Sequence, residues 1–466
     1  EKMIKRKVHG VDHFVLITPI GSGAGKQSYF AAVIPVKEVL ASTLNRVRTA
    51  IWITALCLLL LLPFVWLLAR PIVRPILALA EKSNLVKERR FDHVIYTRSR
   101  VTELNELAIS MTNMADSICA HEEIQRTLMD SFIQLIAEAI DEKSPYTGGH
   151  CARVPELGLM LADAAHASSA PAFADFQFKN KEQWREFKIA AWLHDCGKIT
   201  VPEYVVDKSV KLETIYNRIH EVRTRFEVLL RDAEIDYWQA RAQGLYSEVE
   251  LQAQRDGRVA QLHEDFAFVA KANIGGEFMD QDDIDRLTQI GAQTWQRHFD
   301  RNLGISAAEQ ARVERLPQEL PATEKLLDDR PEHIVLRTRS VDYEPYLEID
   351  MEVPEYLYNR GELYNLSIAR GTLTREERFK INEHMISTIR MLDRLPFPPE
   401  LARVPRYAST HHEAVNGTGY PRKLKGDQLS VPEKVLVVAD IFEALTAADR
   451  PYKEAKSIAA AIDIMA

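Results

Sequence analysis

The run Ile51–Ala69, IWITALCLLLLLPFVWLLA, contains no charged residue and constrains the fold more than any other part of the sequence. As an α-helix it would be roughly 28 Å long, which is close to the hydrocarbon thickness of a bilayer. The alternative is a helix buried in a protein core. An apolar surface on every face of the helix favours lipid instead. Fifty residues precede the run, which is too many for a cleaved signal peptide. The sequence therefore predicts one membrane-spanning helix at 51–69.

Basic residues lie on both sides of this run, and more of them follow it than precede it. Because loops rich in Lys and Arg remain on the cytoplasmic side, we expect everything after residue 70 to be cytoplasmic. Residues 1–50 would then be the C-terminal end of an extracytoplasmic sensor domain. Two apolar runs in that segment, His13–Ile20 and Ser28–Val36, flank the Gly-rich string GSGAGKQ and predict a β-hairpin.

A helical pattern resumes after the membrane run in ARPIVRPILALA, stops at a polar stretch over 81–100, and returns at Val101–Ile118. The apolar residues at heptad spacing there are Leu104, Leu107, Met111, Met114 and Ile118. The phase of this seam breaks near His121, as a stutter would do. A helix, connector and helix directly after a membrane span resemble a HAMP linker, here over 70–118. The resemblance implies a parallel homodimer that passes a signal along a helix at 119–143.

The middle segment, 209–360, contains two further helical patterns. Apolar residues recur three or four positions apart from Leu212 to Leu229 and again from Val259 to Val269. Gln243-Gly244 predicts a turn between the two helices, and Gly275-Gly276 predicts the end of the second one. We therefore expect a long helical hairpin in this segment.

Composition excludes several kinds of site. The four cysteines, Cys57, Cys119, Cys151 and Cys196, form no CxxC pair, so the sequence predicts neither a zinc ribbon nor a dithiol redox centre. The formal net charge of −8 argues against binding of a nucleic-acid polymer through the field of the whole protein. A chain that is 46% hydrophobic is also unlike a disordered one.

Motifs outside the middle segment combine histidine and aspartate with glycine or basic residues. They are TGGHCAR at 147–153, HDCGK at 194–198, HHEAVNGTGYP at 411–421, and a segment at 439–453 that begins ADIFEAL and ends DRPYK. Imidazole and carboxylate groups together suit divalent Fe, Mn, Zn or Ni. Glycines beside a histidine pair permit a close approach of the backbone. The motifs therefore predict a metal site.

In combination, HDxGK, HHExxNGxGYP and ADxFxAL followed by DRPYK resemble the motifs of the HD-GYP phosphodiesterases, a branch of the all-helical HD-domain phosphohydrolases. The resemblance covers 125–212 and 361–466. It implies a mainly α fold, with an HD-domain bundle in two parts, 144–208 and a C-terminally truncated 361–466. The segment 209–360 would be a long helical insertion, which a surface loop tolerates because closure entropy rises slowly with length. Only the piece at 1–50 would be β-rich.

The resemblance also implies a role for each candidate site residue. The implied metal ligands are His150, His194, Asp195, His384, His411, His412 and Asp440, with Asp195 bridging two ions. The residues implied to bind substrate phosphates are Lys198, Arg450 and Lys453. The residues that would shape the loop beside the metals are Glu413, Gly419, Tyr420 and Pro421. Some relatives carry a glutamate for a third metal where this sequence has Tyr146, so we expect two ions, Fe or Mn.

The implied reaction is hydrolysis of cyclic di-GMP to pGpG or GMP by a metal-bridging hydroxide, with Asp195 and Lys198 as the catalytic residues. The protein would act as a single-pass sensor in a bacterial inner membrane, with its catalytic domain in the cytoplasm. Two alternatives remain open. One is a catalytically silent cyclic-dinucleotide receptor that signals through the insertion, and the other is an HD hydrolase of a different cyclic dinucleotide.

Overall fold

The computed structural model describes residues 3–23, 26–91, 98–143, 149–244, 246–276, 278–313, 319–338, 341–447 and 455–465. The chain divides into two compact units, Glu1–Thr127 and Leu128–Ala466. Three positions named above, Tyr146, Arg450 and Lys453, lie outside the described residues.

The first unit begins with a three-stranded antiparallel sheet in the order β1-β2-β3. Its strands are β1 (Ile4–Val8), β2 (Val11–Gly23) and β3 (Lys26–Pro35). Strands β2 and β3 form the predicted hairpin. Strand β1 was not predicted, because its residues, IKRKV, are largely basic and all of them are exposed.

Helix α1 runs from Val36 to Lys87 and includes the whole apolar run. It is the one helix among the described residues that is long and apolar enough to cross a membrane, and its best window has a mean hydropathy of 2.6. The side chains of residues 51–68 are exposed, which is consistent with a single membrane span. The expectation that a new helix begins after this run is wrong. The helix continues through Pro71 and Pro75, which a membrane-associated helix tolerates when the freed backbone groups find other partners.

Helix α2 runs from Thr102 to Glu142 as one helix, so the phase change near His121 does not interrupt it. The small residues Ala108 and Ala115 are buried in the first unit. The seam residues that remain exposed are Leu107, Met114 and Ile118. The HAMP linker and the homodimer remain predictions.

The second unit is mainly helical. Its helices are α3 (His150–Ala167), α4 (Lys181–Leu193), α5 (Glu203–Val206), α6 (Ile219–Gln243), α7 (Glu248–Ile274), α8 (Gln281–Gly291), α9 (Ala307–Gln310), α10 (Glu362–Leu366), α11 (Arg375–Leu392), α12 (Val404–Ala408), α13 (Val431–Thr446) and α14 (Ile458–Met465). Its strands pair as β4 (Thr294–Arg297) with β5 (Ala322–Lys325), and β6 (Ile334–Leu336) with β7 (Tyr356–Asn359).

One hydrophobic core of this unit lies where α3, α4, α12 and α13 pack together. Phe187 and Ile189 of α4 are fully buried there, with Leu436 and Ala439 of α13. Burying an aromatic or aliphatic side chain of this size stabilises the fold by about 1.5–3 kcal/mol. The core therefore fixes the N-terminus of α3, the C-terminus of α4 and the middle of α13 relative to one another.

The predicted helical hairpin is present in α6 and α7, which pack side by side. Helix α6 ends at Gly244 and α7 ends at Gly275, with φ angles of 67° and 78° that favour glycine. A capping box between Ser247 and Glu250 begins α7. Besides the hairpin, the segment 209–360, which was expected to be a long helical insertion, also supplies the β4–β5 and β6–β7 strand pairs. These strands are only three or four residues long, too short for a clear alternation pattern.

The two ends of the middle segment meet at a buried ion pair. Lys208 Nζ donates to Glu377 Oε2 at 2.8 Å and to Asn365 Oδ1 at 3.0 Å. Thr372 Oγ1 donates to the Lys208 carbonyl at 3.1 Å. The chain before residue 209 and the chain after residue 360 therefore meet at one place, and the insertion at 209–360 remains a prediction.

Candidate metal centre

The seven predicted metal ligands converge in the second unit, although they come from separate elements. The ligand atoms form two groups, and within each group they lie within 4.8 Å of one another. One group is His150, His194 and Asp440, and the other is Asp195, His384, His411 and His412. All of these side chains except His412 are buried. The residues singled out by the sequence motifs are thus brought together as two adjacent candidate metal sites.

Asp195 lies between the two groups. Its Oδ2 is 3.3 Å from Nε2 of both His150 and His194. Its Oδ1 is 3.3 Å from His384 Nε2 and 3.6 Å from His411 Nε2. One carboxylate oxygen therefore faces each group, which is the arrangement that a bridging ligand requires.

Three of the histidines are oriented by the backbone of their own helix or turn. The Nδ1 atoms of His194, His384 and His411 lie 2.7, 2.6 and 2.8 Å from the carbonyl oxygens three residues earlier. A ring whose Nδ1–H donates to a carbonyl keeps its lone pair on Nε2. Each Nε2 therefore points into the cluster as an electron-pair donor.

Several buried polar atoms of the cluster have no hydrogen-bond partner among the described residues. They are Asp195 Oδ1, His384 Nε2 and His411 Nε2. Leaving such an atom unsatisfied costs about 1–3 kcal/mol. A divalent cation would satisfy all three at once, so the residues present fit the metal that the motifs imply.

Lys198 contacts the bridging carboxylate, with its Nζ 2.5 Å from Asp195 Oδ2. Burial by itself would raise the pKa of Asp195, but the charge of Lys198 and the neighbouring histidines hold it well below its usual range. Burial would likewise lower the pKa of Lys198, but the charges of Asp195 and Asp440 raise it. The pair is therefore ionised, and a positive charge lies at the edge of the candidate metal site.

The histidine pair is held in its neutral form. Burial lowers the pKa of His411, and burial together with the neighbouring His411 lowers the pKa of His412 well below its usual range. Neutral imidazole is the form that binds metal ions. The pair is therefore ready to act as ligands without first releasing a proton.

Gly197 allows the HDCGK turn and helix α11 to touch. A Cβ at this position would lie 1.9 Å from the His384 carbonyl oxygen and 2.7 Å from the Thr388 nitrogen. The Gly197 N–H also donates to Thr388 Oγ1 at 3.0 Å. Only glycine fits this approach, and the approach brings His384 next to Asp195.

Glu413 shapes the loop that follows the histidine pair. Its Oε1 accepts a hydrogen bond from the Arg422 N–H and its Oε2 accepts one from the Leu424 N–H, both at 2.8 Å. The carboxylate thus folds the loop back on itself, which supports the loop role expected for Glu413.

Among the remaining loop residues, Tyr420 packs against one of the same histidines, and Gly419 and Pro421 fix the path of the loop. The Tyr420 ring stacks on His412 with centroids 4.7 Å apart and an interplanar angle of 26°. A Cβ on Gly419 would lie 2.3 Å from the Ala414 nitrogen, so glycine is required there. The Pro421 carbonyl accepts a hydrogen bond from the Asp350 N–H at 2.8 Å, which ties the loop to the middle segment.

Glu443, which the sequence motifs do not single out, also belongs to this centre. Glu443 Oε2 lies 2.5 Å from His150 Nδ1, and its Oε1 accepts from Arg153 Nε at 2.7 Å. Burial by itself would raise the pKa of Glu443, but its bonds to His150 and Arg153 lower it to about 2. A usable signal was the spacing of three residues from Asp440, which places Glu443 on the same face of α13.

Comparisons with known proteins identify a family domain in the C-terminal part of the chain. The model of the HD domain family matches residues 321–466, so the C-terminal part of the chain carries an HD domain. The match contains His384, His411, His412 and Asp440, and it begins inside the segment predicted as an insertion. His150, His194 and Asp195 lie before it.

Curated relatives are similar to shorter stretches of this chain than the family model is. A 3'3'-cGAMP-specific phosphodiesterase of Vibrio cholerae is 40% identical over 95 residues, which are 20% of this chain and 20% of the relative. A cyclic di-GMP phosphodiesterase of Pseudomonas aeruginosa is 34% identical over 116 residues, 25% of each chain. A cyclic di-GMP phosphodiesterase of Thermotoga maritima is 38% identical over 88 residues, 19% of this chain and 23% of the relative. The aligned stretch thus spans a quarter or less of each of these relatives.

Proposed function

We propose that this chain is a metal-dependent phosphodiesterase of the HD-GYP type that hydrolyses cyclic di-GMP. The observation that carries the proposal is the position of Asp195, whose two oxygens face two groups of buried histidine and aspartate side chains. The HD domain match and the phosphodiesterase relatives support the same reaction class. We further propose that the site holds two divalent ions, Fe or Mn.

The first ion would be held by His150, His194 and Asp440, and the second by His384, His411 and His412, with Asp195 shared between them. When bound, such ions lower the pKa of a water molecule and neutralise charge on the phosphodiester. In the hydrolysis the water oxygen joins phosphorus, the bond from phosphorus to the 3' oxygen breaks, and a proton goes to that oxygen. The product is the linear dinucleotide pGpG.

The protein side chains contribute charge and position. Lys198 reaches the bridging carboxylate with its ammonium group, and a cation at this place can stabilise a phosphate oxygen as charge develops on it. Tyr420 holds His412 by stacking and keeps that side of the centre covered. Arg450 and Lys453, the residues expected to bind the second phosphate, remain predictions.

Turnover of defined cyclic dinucleotides tests the proposal. We expect the full chain, purified anaerobically in detergent with Fe(II) or Mn(II), to convert cyclic di-GMP to pGpG, because the seven predicted ligands lie together in two adjacent groups. Chromatography would follow cyclic di-GMP and 3'3'-cGAMP in parallel. Hydrolysis of 3'3'-cGAMP alone would mean that this dinucleotide, and not cyclic di-GMP, is the substrate. No turnover of either, with two ions bound per chain, would reject the enzyme and favour a receptor.

We also propose that α1 anchors the chain in an inner membrane with the second unit in the cytoplasm. The support is the exposed apolar surface of residues 51–68 and the basic residues that follow. We expect the chain to stay in the membrane pellet after alkaline carbonate extraction. Replacing Leu60 and Leu61 by arginine disfavours insertion by about 2.5–3.5 kcal/mol for each residue, so this variant should be released. Release of the unaltered chain would contradict the anchor.

A further inference from the structure

The candidate ligand histidines are not all oriented in the same way. His384 and His411, which face one oxygen of Asp195, each direct Nδ1 at a backbone carbonyl. His194, which faces the other oxygen, does the same. Among the described residues of the centre, only His150 has its Nδ1 within hydrogen-bonding distance of a carboxylate, that of Glu443 at 2.5 Å. This difference separates the site of His150, His194 and Asp440 from its neighbour.

The carboxylate of Glu443 is itself held in place. The side chain is 3% exposed, and its second oxygen forms an ion pair with the Arg153 guanidinium at 2.5 Å. Arg153 follows His150 by one turn of α3, and Glu443 follows Asp440 by one turn of α13. One turn of α3 and one turn of α13 therefore supply two candidate ligands, His150 and Asp440. The same two turns supply the ion pair of Arg153 with Glu443.

The bond to Glu443 acts on the ligand atom at the other side of the ring. His150 Nε2 lies 3.2 Å from Asp440 Oδ1 and 3.3 Å from Asp195 Oδ2, inside the candidate site. A ring that donates Nδ1–H to a carboxylate is fixed in one tautomer and one orientation, and its other nitrogen becomes a stronger electron-pair donor. A backbone carbonyl fixes the tautomer but carries no full negative charge.

We propose that Glu443, held by Arg153, is a positioning residue that strengthens cation binding at the site of His150, His194 and Asp440. This inference rests on the proposed dimetal function. It makes the two sites unequal, so that the ion next to Glu443 is bound more tightly than it would be with a neutral partner at this place. The effect passes through the His150 ring, and Glu443 does not touch the ion.

The test is a Mn²⁺ titration of the full chain by calorimetry, with metal content measured by mass spectrometry. In Glu443→Gln the neutral amide replaces the carboxylate, and we expect one of the two Mn²⁺ affinities to fall 10–100-fold while the other is unchanged. The matched control is Glu433→Gln. Glu433 is also a buried glutamate of α13, in the first turn of that helix, and it pairs with Arg406 at 2.7 Å. Both Mn²⁺ affinities should be unchanged in this control.

Arg153→Gln provides a second variant that leaves Glu443 and the ring in place. It removes the support of the carboxylate at a partly exposed position, so we expect a smaller loss at the same site and a folded protein. Unchanged Mn²⁺ affinities in Glu443→Gln, or in Arg153→Gln if the first variant does not fold, would overturn the inference. Binding of fewer than two Mn²⁺ ions by the unaltered chain would instead reject the dimetal site itself.

Discussion

Replacing Asp195 by asparagine is expected to reduce the turnover of cyclic di-GMP by roughly 100- to 1,000-fold, the range observed when one preorganised electrostatic group of an active site is removed. Asparagine has nearly the same shape, but it has no negative charge and offers one oxygen in place of two. In the structure one oxygen of Asp195 faces each group of ligands. The variant should therefore lose bound metal as well as activity.

Metal content and initial rates of the same Asp195→Asn preparation check this prediction. Asp427→Asn is a suitable control, because Asp427 is an exposed aspartate in the loop after the histidine pair. Its turnover and metal content should match those of the unaltered chain. A variant at Asp195 that keeps more than about a tenth of the turnover would contradict a bridging role.

The candidate ligands could be singled out from the sequence because metal chemistry restricts residue type and because their motifs resemble those of a known family. Histidine and aspartate, as in HDCGK and in the pair His411-His412, have few equivalents as ligands for Fe or Mn. The helical hairpin was predictable for a different reason. The spacing of apolar residues in α6 and α7 follows from which face is buried, and Gly244 and Gly275 end the helices where a positive φ is needed.

Other features depend on contacts that the local sequence does not contain. Glu443 looks like an ordinary helical glutamate until α13 packs on α3 and brings it to His150, 293 positions away. The continuity of α1 through Pro71 and Pro75 was missed because proline usually interrupts a helix in water. Gly197 was recognised as part of a motif. The reason that a glycine is needed there is the close approach of the His384 backbone, which only the packed structure shows.

The largest expected effect on stability is at Lys208, which joins the ends of the middle segment. Its partner Glu377 is 169 positions away, and both side chains are buried. Burial lowers the pKa of Lys208, and the charge of Glu377 opposes this shift. Removing one member of a buried ion pair leaves the other charge unpaired, which typically costs about 3–5 kcal/mol. We therefore expect Lys208→Met to lower the free energy of unfolding by this amount.

Guanidinium unfolding followed by tryptophan fluorescence would measure the change. In the double variant Lys208→Met with Glu377→Gln, no buried charge remains, and the amide can still accept the Thr374 N–H that begins α11. Most of the lost stability should return, because an unpaired charge costs more than an absent ion pair. Lys423→Met removes an exposed pair with Asp350 and should change stability by less than about 1 kcal/mol. An equally small effect at Lys208 would mean that this ion pair does not hold the ends of the segment together. Helix α11 carries both Glu377 and His384, so the same loss of stability should also lower the temperature at which turnover fails.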